Sequence, residues 1–170
     1  MSMKNIPAGK NPPELINVYI EIPAEGDIKY EIDEDSGALF VDRFAFTAFV
    51  YPFNYGFIPN TKGEDGDALD VLVLSSKKVA PGVVIPSRPV GMLEMEDEEG
   101  IDTKILAVPV EKVDPFMAHV QDISDVTDPV KNQIRHFFEH YKELEPNKWV
   151  KLKDWKDKAS AMEQIQKSLK

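Results

Sequence analysis

Two hydrophobic periods divide this chain, and their order limits what it can fold into. Ile16, Val18, Ile20 and Ile22 alternate with Asn17, Tyr19 and Glu21, the period of two of a half-buried strand. Ile28, Tyr30 and Ile32 repeat it, with Lys29 and Glu31 together on the other face. A third strand, Ala38 to Arg43, follows the turn Asp35-Ser36-Gly37. Leu69 to Leu74 is apolar on both faces except at Asp70, as a central, covered strand would be. Val83 to Met95 is interrupted by Pro86 and Pro89, which places it at an edge or bend. Ile101 to Val108 is another strand, with Asp102 and Lys104 on one face.

The last third changes to a helical period. Asp128 and Pro129 read as an N-cap and first helical position. Val130, Ile134, Phe137, Phe138, Tyr141 and Leu144 then form one apolar stripe, which Pro146 ends. A second helix is expected over Asp157 to Leu169, using Ala161, Met162, Ile165 and Leu169. Strands first and helices last predict an α+β domain: a small closed β-barrel braced by two C-terminal helices.

The chain has 170 residues, which suits one domain spanning residues 1–170. Without cysteine there is neither a disulfide nor a thiolate zinc site. No long uncharged apolar run could span a membrane, and Met1 to Pro7 lacks the apolar stretch of a signal peptide. A cytoplasmic protein without a membrane partner is expected. The formal net charge of −10 argues against general nucleic-acid binding. An anionic small ligand stays compatible if metal ions and a few placed cations mediate.

Asp65-Gly66-Asp67-Ala68-Leu69-Asp70 carries the strongest chemical signal. Three carboxylates gather at a strand end, and at ~4 Å each like-charge pair costs about 4 kcal/mol at an effective dielectric of ~20. Hard oxygen donors in this number suit Mg²⁺, Mn²⁺ or Ca²⁺. A solvated acidic turn is the bland alternative. Charged residues also recur at other strand positions: Glu21, Lys29, Glu31, Arg43, Asp102 and Lys104. Several strands doing this together suggest a polar pocket at a barrel mouth or along one face. Asp97 lies in the acidic run 94–99, of which only one member need serve a site. Tyr51 and Tyr55, in the aromatic segment 51–59, offer hydroxyl donors to an oxyanion. Tyr141 and Lys142 lie near the end of the long helix, where a lysine is commonly a helix-terminus charge.

Taken together, Ile20-Glu21-Ile22-Pro23, Lys29-Tyr30-Glu31, Gly37 to Arg43, Tyr51 to Pro59, Asp65 to Asp70, Arg88-Pro89-Val90-Gly91 and His136 to Lys142 resemble the soluble, metal-dependent inorganic pyrophosphatases of the bacterial type. The resemblance covers nearly the whole chain. It implies an OB-like barrel, several Mg²⁺ ions (Mn²⁺ as a substitute) and a homohexamer. It implies Mg-pyrophosphate as substrate, hydrolysed by in-line attack of a metal-activated water without a phosphoenzyme. Asp65, Asp70 and Asp102 are implied as metal ligands, Asp97 as a ligand for metal arriving with substrate, and Asp67 as the group that deprotonates or orients the water. Lys29, Arg43, Tyr55, Tyr141 and Lys142 are implied phosphate contacts, with Glu21, Glu31, Tyr51 and Lys104 supporting them. Ala68 stands where the family signature usually carries proline or sometimes glutamate.

Three other readings compete. An EF-hand fails on spacing, since Asp70 replaces the loop glycine and Ser76 the bidentate glutamate. His136-Phe137-Phe138-Glu139-His140 fits the H-x-x-E-H pattern of a zinc peptidase, but few acidic residues follow as a third ligand. A barrel that binds an oligonucleotide or oligosaccharide without catalysis has no use for aspartates aimed at a shared metal.

Overall fold

The strands expected from the period-two pattern close into a ring. The computed structural model describes residues 6–33 and 35–170. Its elements are β1 (Ile16–Ile22), β2 (Ile28–Ile32), β3 (Leu39–Phe44), β4 (Asn54–Phe57), β5 (Asp70–Val73), β6 (Val84–Asp97), β7 (Gly100–Ile101), β8 (Lys104–Pro109), α1 (Asp128–His140), β9 (Val150–Lys156) and α2 (Lys158–Ser168). Neighbours follow the order β1-β4-β5-β8-β6, and β6 returns to β1. Only β5 and β8 run parallel in this ring; the other pairs are antiparallel. The result is the closed barrel expected, braced by two helices.

Both faces of β5 and β8 are covered, which explains their near-continuous apolar sequence. Val71, Val73, Ile105 and Ala107 join one buried cluster with Ala161 and Ile165 of α2. Leu72, Leu74, Leu106 and Val108 join the other, with Ile134, Phe137 and Phe138 of α1. Alternate residues of the same strands therefore anchor a helix each. β1 is buried along nearly its whole length rather than on one face.

Several details depart from expectation. Val84–Asp97 is one continuous strand, not an edge: it pairs with β1, β8, β9 and β7 along its length. Pro89 does not end it because the β6–β8 register shifts there, leaving Val90 as an extra residue. Residues 101–108 divide into β7 and β8, with Asp102 and Thr103 between them. β9 was not expected at all; its lysine-rich alternation conceals a strand that pairs with β6. Thr127, not Asp128, caps α1, and Pro129 lies in its first turn. Because α1 ends at His140, Leu144 leaves the apolar stripe and is 63% exposed. Asp157 caps α2 by accepting from the Ser160 N–H at 2.9 Å.

β2 and β3 form a separate two-stranded sheet outside the ring. β3 is exposed along its whole length. No helix among the described residues is long and apolar enough to cross a membrane. The leader reading of Met1 to Pro7 falls mostly outside the described residues.

Candidate active site

Strand ends, two loops and the turn after α1 converge on one cavity of about 400 Å³. All fourteen candidate residues line it: Glu21, Lys29, Glu31, Arg43, Tyr51, Tyr55, Asp65, Asp67, Asp70, Asp97, Asp102, Lys104, Tyr141 and Lys142. Two bulges aim side chains into it. Glu21 is the extra residue between the Ile20–Gly56 and Ile22–Tyr55 pairs of β1 and β4. Asp42 is the extra residue of β3, which leaves Lys29 and Arg43 directly opposite each other. The carboxylate loop folds on itself through the Asp67 N–H, which donates to Asp65 Oδ1 at 3.0 Å. Gly66 has φ +96°, a conformation that favours glycine at the turn.

The cations of the cavity are bound to its carboxylates. Lys104, only 2% exposed, donates to Asp70 at 2.6 Å, Asp102 at 2.7 Å and the Tyr55 hydroxyl at 3.2 Å. Lys142 donates to Asp97 at 2.6 Å and pairs with Glu98 at 3.3 Å. Lys29 holds Glu31 at 2.8 Å. Arg43 holds Asp42 at 2.7 Å and reaches Glu145 at 3.5 Å. Tyr51 forms an apolar wall with Phe137, ring centroids 4.5 Å apart, and with Tyr55 at 4.9 Å.

Burial sets the protonation of this cluster. It pushes the Glu21 carboxyl up to about 8, against a smaller downward pull from Lys29. Burial alone would lower Lys104, but the Asp70 and Asp102 carboxylates override it and hold the ammonium well above its ordinary value. The same contest, with Tyr141 and Asp97 opposing burial, leaves Lys142 raised. Burial also raises Asp65 and Asp102, and raises the Tyr51 and Tyr55 phenols so that both remain neutral donors at ordinary pH.

Sequence reasoning passed over Asp42, Glu98, Glu99, Glu145 and Lys148. Asp97, Glu98 and Glu99 all reach the cavity, so more of the acidic run is at the site than one member. Lys148 holds Glu98 at 2.6 Å, after Asn147 turns the chain with φ +60°. Burial raises the Glu98 carboxyl, but the Lys148 pairing, a backbone hydrogen bond and Lys142 together outweigh it and pull it down to about 2. The neighbouring asparagine and proline were the only signal that this segment folds back.

Among the described residues, eleven carboxylate and five cationic side chains line the cavity, and no His, Cys or Met. Such a donor set fits hard divalent cations. As the side chains stand, no three acidic or histidine groups among the described residues converge closely enough to share an ion. Lysine ammonium groups sit between them instead. The H-x-x-E-H histidines lie off the cavity: their rings sit 4.7 Å apart at a tilt of 51°, and His140 Nδ1 contacts Glu143 at 3.0 Å. Asp65 to Asp70 leads into a strand, which excludes the helix-loop-helix of an EF-hand.

Known proteins resemble the chain throughout. Its sequence is 57% identical over 169 residues to the inorganic pyrophosphatase of Aquifex pyrophilus, covering 99% of this chain and 96% of that one. It is 54% identical over 166 residues to that of Escherichia coli (strain K12), covering 97% and 94%. The crystal structure of inorganic pyrophosphatase from Thermus thermophilus superposes with a TM-score of 0.94 at 46% identity, covering 99% of this chain and 97% of that one. The sequence pattern of the family described as inorganic pyrophosphatase matches residues 18–170. With that match over most of its length, the chain belongs to the inorganic pyrophosphatase family.

Proposed function

We propose that this protein hydrolyses inorganic pyrophosphate to two phosphates by direct in-line transfer to water, with Mg²⁺ as its metal. The observation that carries the reading is one cavity in which excess carboxylates face a smaller set of cations and tyrosine hydroxyls. A polyanionic substrate enters an acidic cavity only if divalent ions neutralise both. Asp65, Asp70 and Asp102 would hold resident Mg²⁺, and Asp97 an ion that arrives with the substrate. When bound, these ions supply charge neutralisation and lower the pKa of water toward neutrality.

The chain's own residues do the rest. Asp67 accepts or positions the proton of the attacking water. Lys29, Arg43 and Lys142 bind the phosphate oxygens and stabilise charge on the departing phosphate. The neutral Tyr55 and Tyr141 hydroxyls donate hydrogen bonds to the same oxygens. Glu21, Glu31, Tyr51 and Lys104 hold these groups in place. Among the described residues no serine or cysteine lines the cavity, and no such nucleophile is needed for transfer to water. We place the protein in the cytoplasm as a homohexamer of single-domain chains, a reading that rests on the family.

Asp67→Asn tests the assignment. Its side chain is exposed, and its hydrogen bonds come from the backbone, the N–H donating to Asp65 Oδ1 and the carbonyl accepting from the Gly63 N–H, so the fold should survive. Turnover with Mg²⁺ should fall by about 10²-fold or more, the usual contribution of general acid–base catalysis. Near-normal turnover in this variant would remove Asp67 from the mechanism.

A further inference from the structure

Lys142 differs from the other proposed phosphate contacts in what holds it. Lys29 pairs with Glu31, and Arg43 with Asp42 and Glu145; none of these carboxylates is a proposed metal ligand. Lys142 instead binds Asp97 at 2.6 Å, the carboxylate assigned to the ion that comes with substrate. Its grip on Glu98 is looser, 3.3 Å, and Lys148 already holds that carboxylate at 2.6 Å. Both Lys142 and Asp97 are largely buried, with side chains 9% and 8% exposed, so solvent screens their attraction weakly.

An ammonium and a divalent ion cannot share the same carboxylate oxygens at contact distance without strong repulsion. Lys142 holds Asp97 Oδ2 while Oδ1 accepts from the Glu99 N–H at 2.9 Å, so a metal ion that takes Oδ2 has to displace Lys142. The lysine follows α1 in a turn rather than within the helix, so its side chain can turn to an anion in the same cavity. Resting on the functional reading above, we propose that Lys142 is a metal-gated phosphate ligand: a divalent ion at Asp97 frees its ammonium, which then binds phosphate. Metal and phosphate are then positively coupled through this side chain, and the coupling is reciprocal.

The direction of the effect separates this device from a plain phosphate contact. Removing a competitor for Asp97 strengthens metal binding, whereas removing a plain contact leaves it unchanged. Calorimetric titration of the full chain with Mn²⁺, without phosphate, reads the difference. Lys142→Met should bind Mn²⁺ about tenfold or more tighter at one site, roughly the effect of one pKa unit of differential interaction. Lys142→Arg, which keeps the charge, should bind like the wild type. In an Asp97→Asn background, Lys142→Met should change nothing. Addition of Mn²⁺ should tighten binding of inorganic phosphate in the wild type, and much less so in Lys142→Met.

An unchanged Mn²⁺ isotherm in Lys142→Met, or a gain that persists with Asp97→Asn, overturns the gate while leaving the pyrophosphatase reading intact. A wild type that binds no Mn²⁺ overturns both. Should the methionine variant unfold, the side-chain ¹⁵N signal of Lys142 in the wild type supplies the answer. It should move on adding Mg²⁺ before any phosphate is present, and a stationary signal contradicts the proposal.

Discussion

Lys104 is the residue on which the organisation of the cavity depends most. A buried ammonium is stable here only because Asp70 and Asp102 flank it at 2.6 and 2.7 Å. Lys104→Met would leave those two carboxylates facing each other without a cation. Asp70 is partly exposed, so the loss should sit near the low end for a broken buried pair, about 3 kcal/mol at neutral pH. Urea unfolding in a chelator should read that loss, and added Mg²⁺ should recover part of it. Glu21 gives the opposite sign. Its carboxyl ionises near 4.5 in the unfolded chain but holds its proton to about 8 in the fold. The stability it contributes is complete below the first value and is lost as pH rises to the second. Glu21→Gln should therefore match the wild type near pH 4 and exceed it by roughly 4 kcal/mol at pH 8 in a chelator. A constant difference across that range contradicts the burial of an acid here. At this scale the sequence was informative wherever a charge broke an apolar strand pattern, as at Glu21, Asp70 and Lys104. It was silent on Glu98 and Lys148, whose spacing shows no period and whose pairing depends on a turn at Asn147.

Elements position those residues through irregularity as much as through regularity. The β1 bulge that aims Glu21 lies one pair from Gly56, whose backbone packs against β1 so closely that an added Cβ would fall 1.8 Å from the Tyr19 carbonyl oxygen. Backbone atoms cannot yield as a flexible side chain does. Gly56→Ala should cost about 3 kcal/mol or more in urea unfolding, at or above the upper end for overpacking. A near-neutral result would mean that β1 and β4 are not in this register. β1 was legible from its alternating sequence and β5 from its continuous apolar run, although both are buried along nearly their whole length. β9 was not: its half-buried residues Val150, Leu152 and Trp155 are spread among lysines, two of which pair with Glu94 and Glu96 of β6. The prolines of β6 misled for a related reason, since a bulge beside Pro89 accommodates what a regular ladder would not.

On the scale of the whole molecule, two features ask for explanation together. Net charge is strongly negative, yet Phe40, Val41, Phe44 and Phe46 are each more than half exposed around β3. Exposed apolar surface of this kind suits association between copies. Sedimentation at working concentration should give a particle of about six times the 19.2 kDa chain, as the family resemblance implies. A persistent monomer would remove that inference without touching the cavity. The acidity has a different consequence: activity has to depend on divalent cations, because the cavity's cations are already bound to its own carboxylates. The most direct test is phosphate release from pyrophosphate by the purified protein, with Mg²⁺ in excess and again after chelation. The account predicts rapid release that vanishes when the metal is chelated. Folded protein that releases no phosphate with either Mg²⁺ or Mn²⁺, or that continues to release it in the chelator, would contradict it.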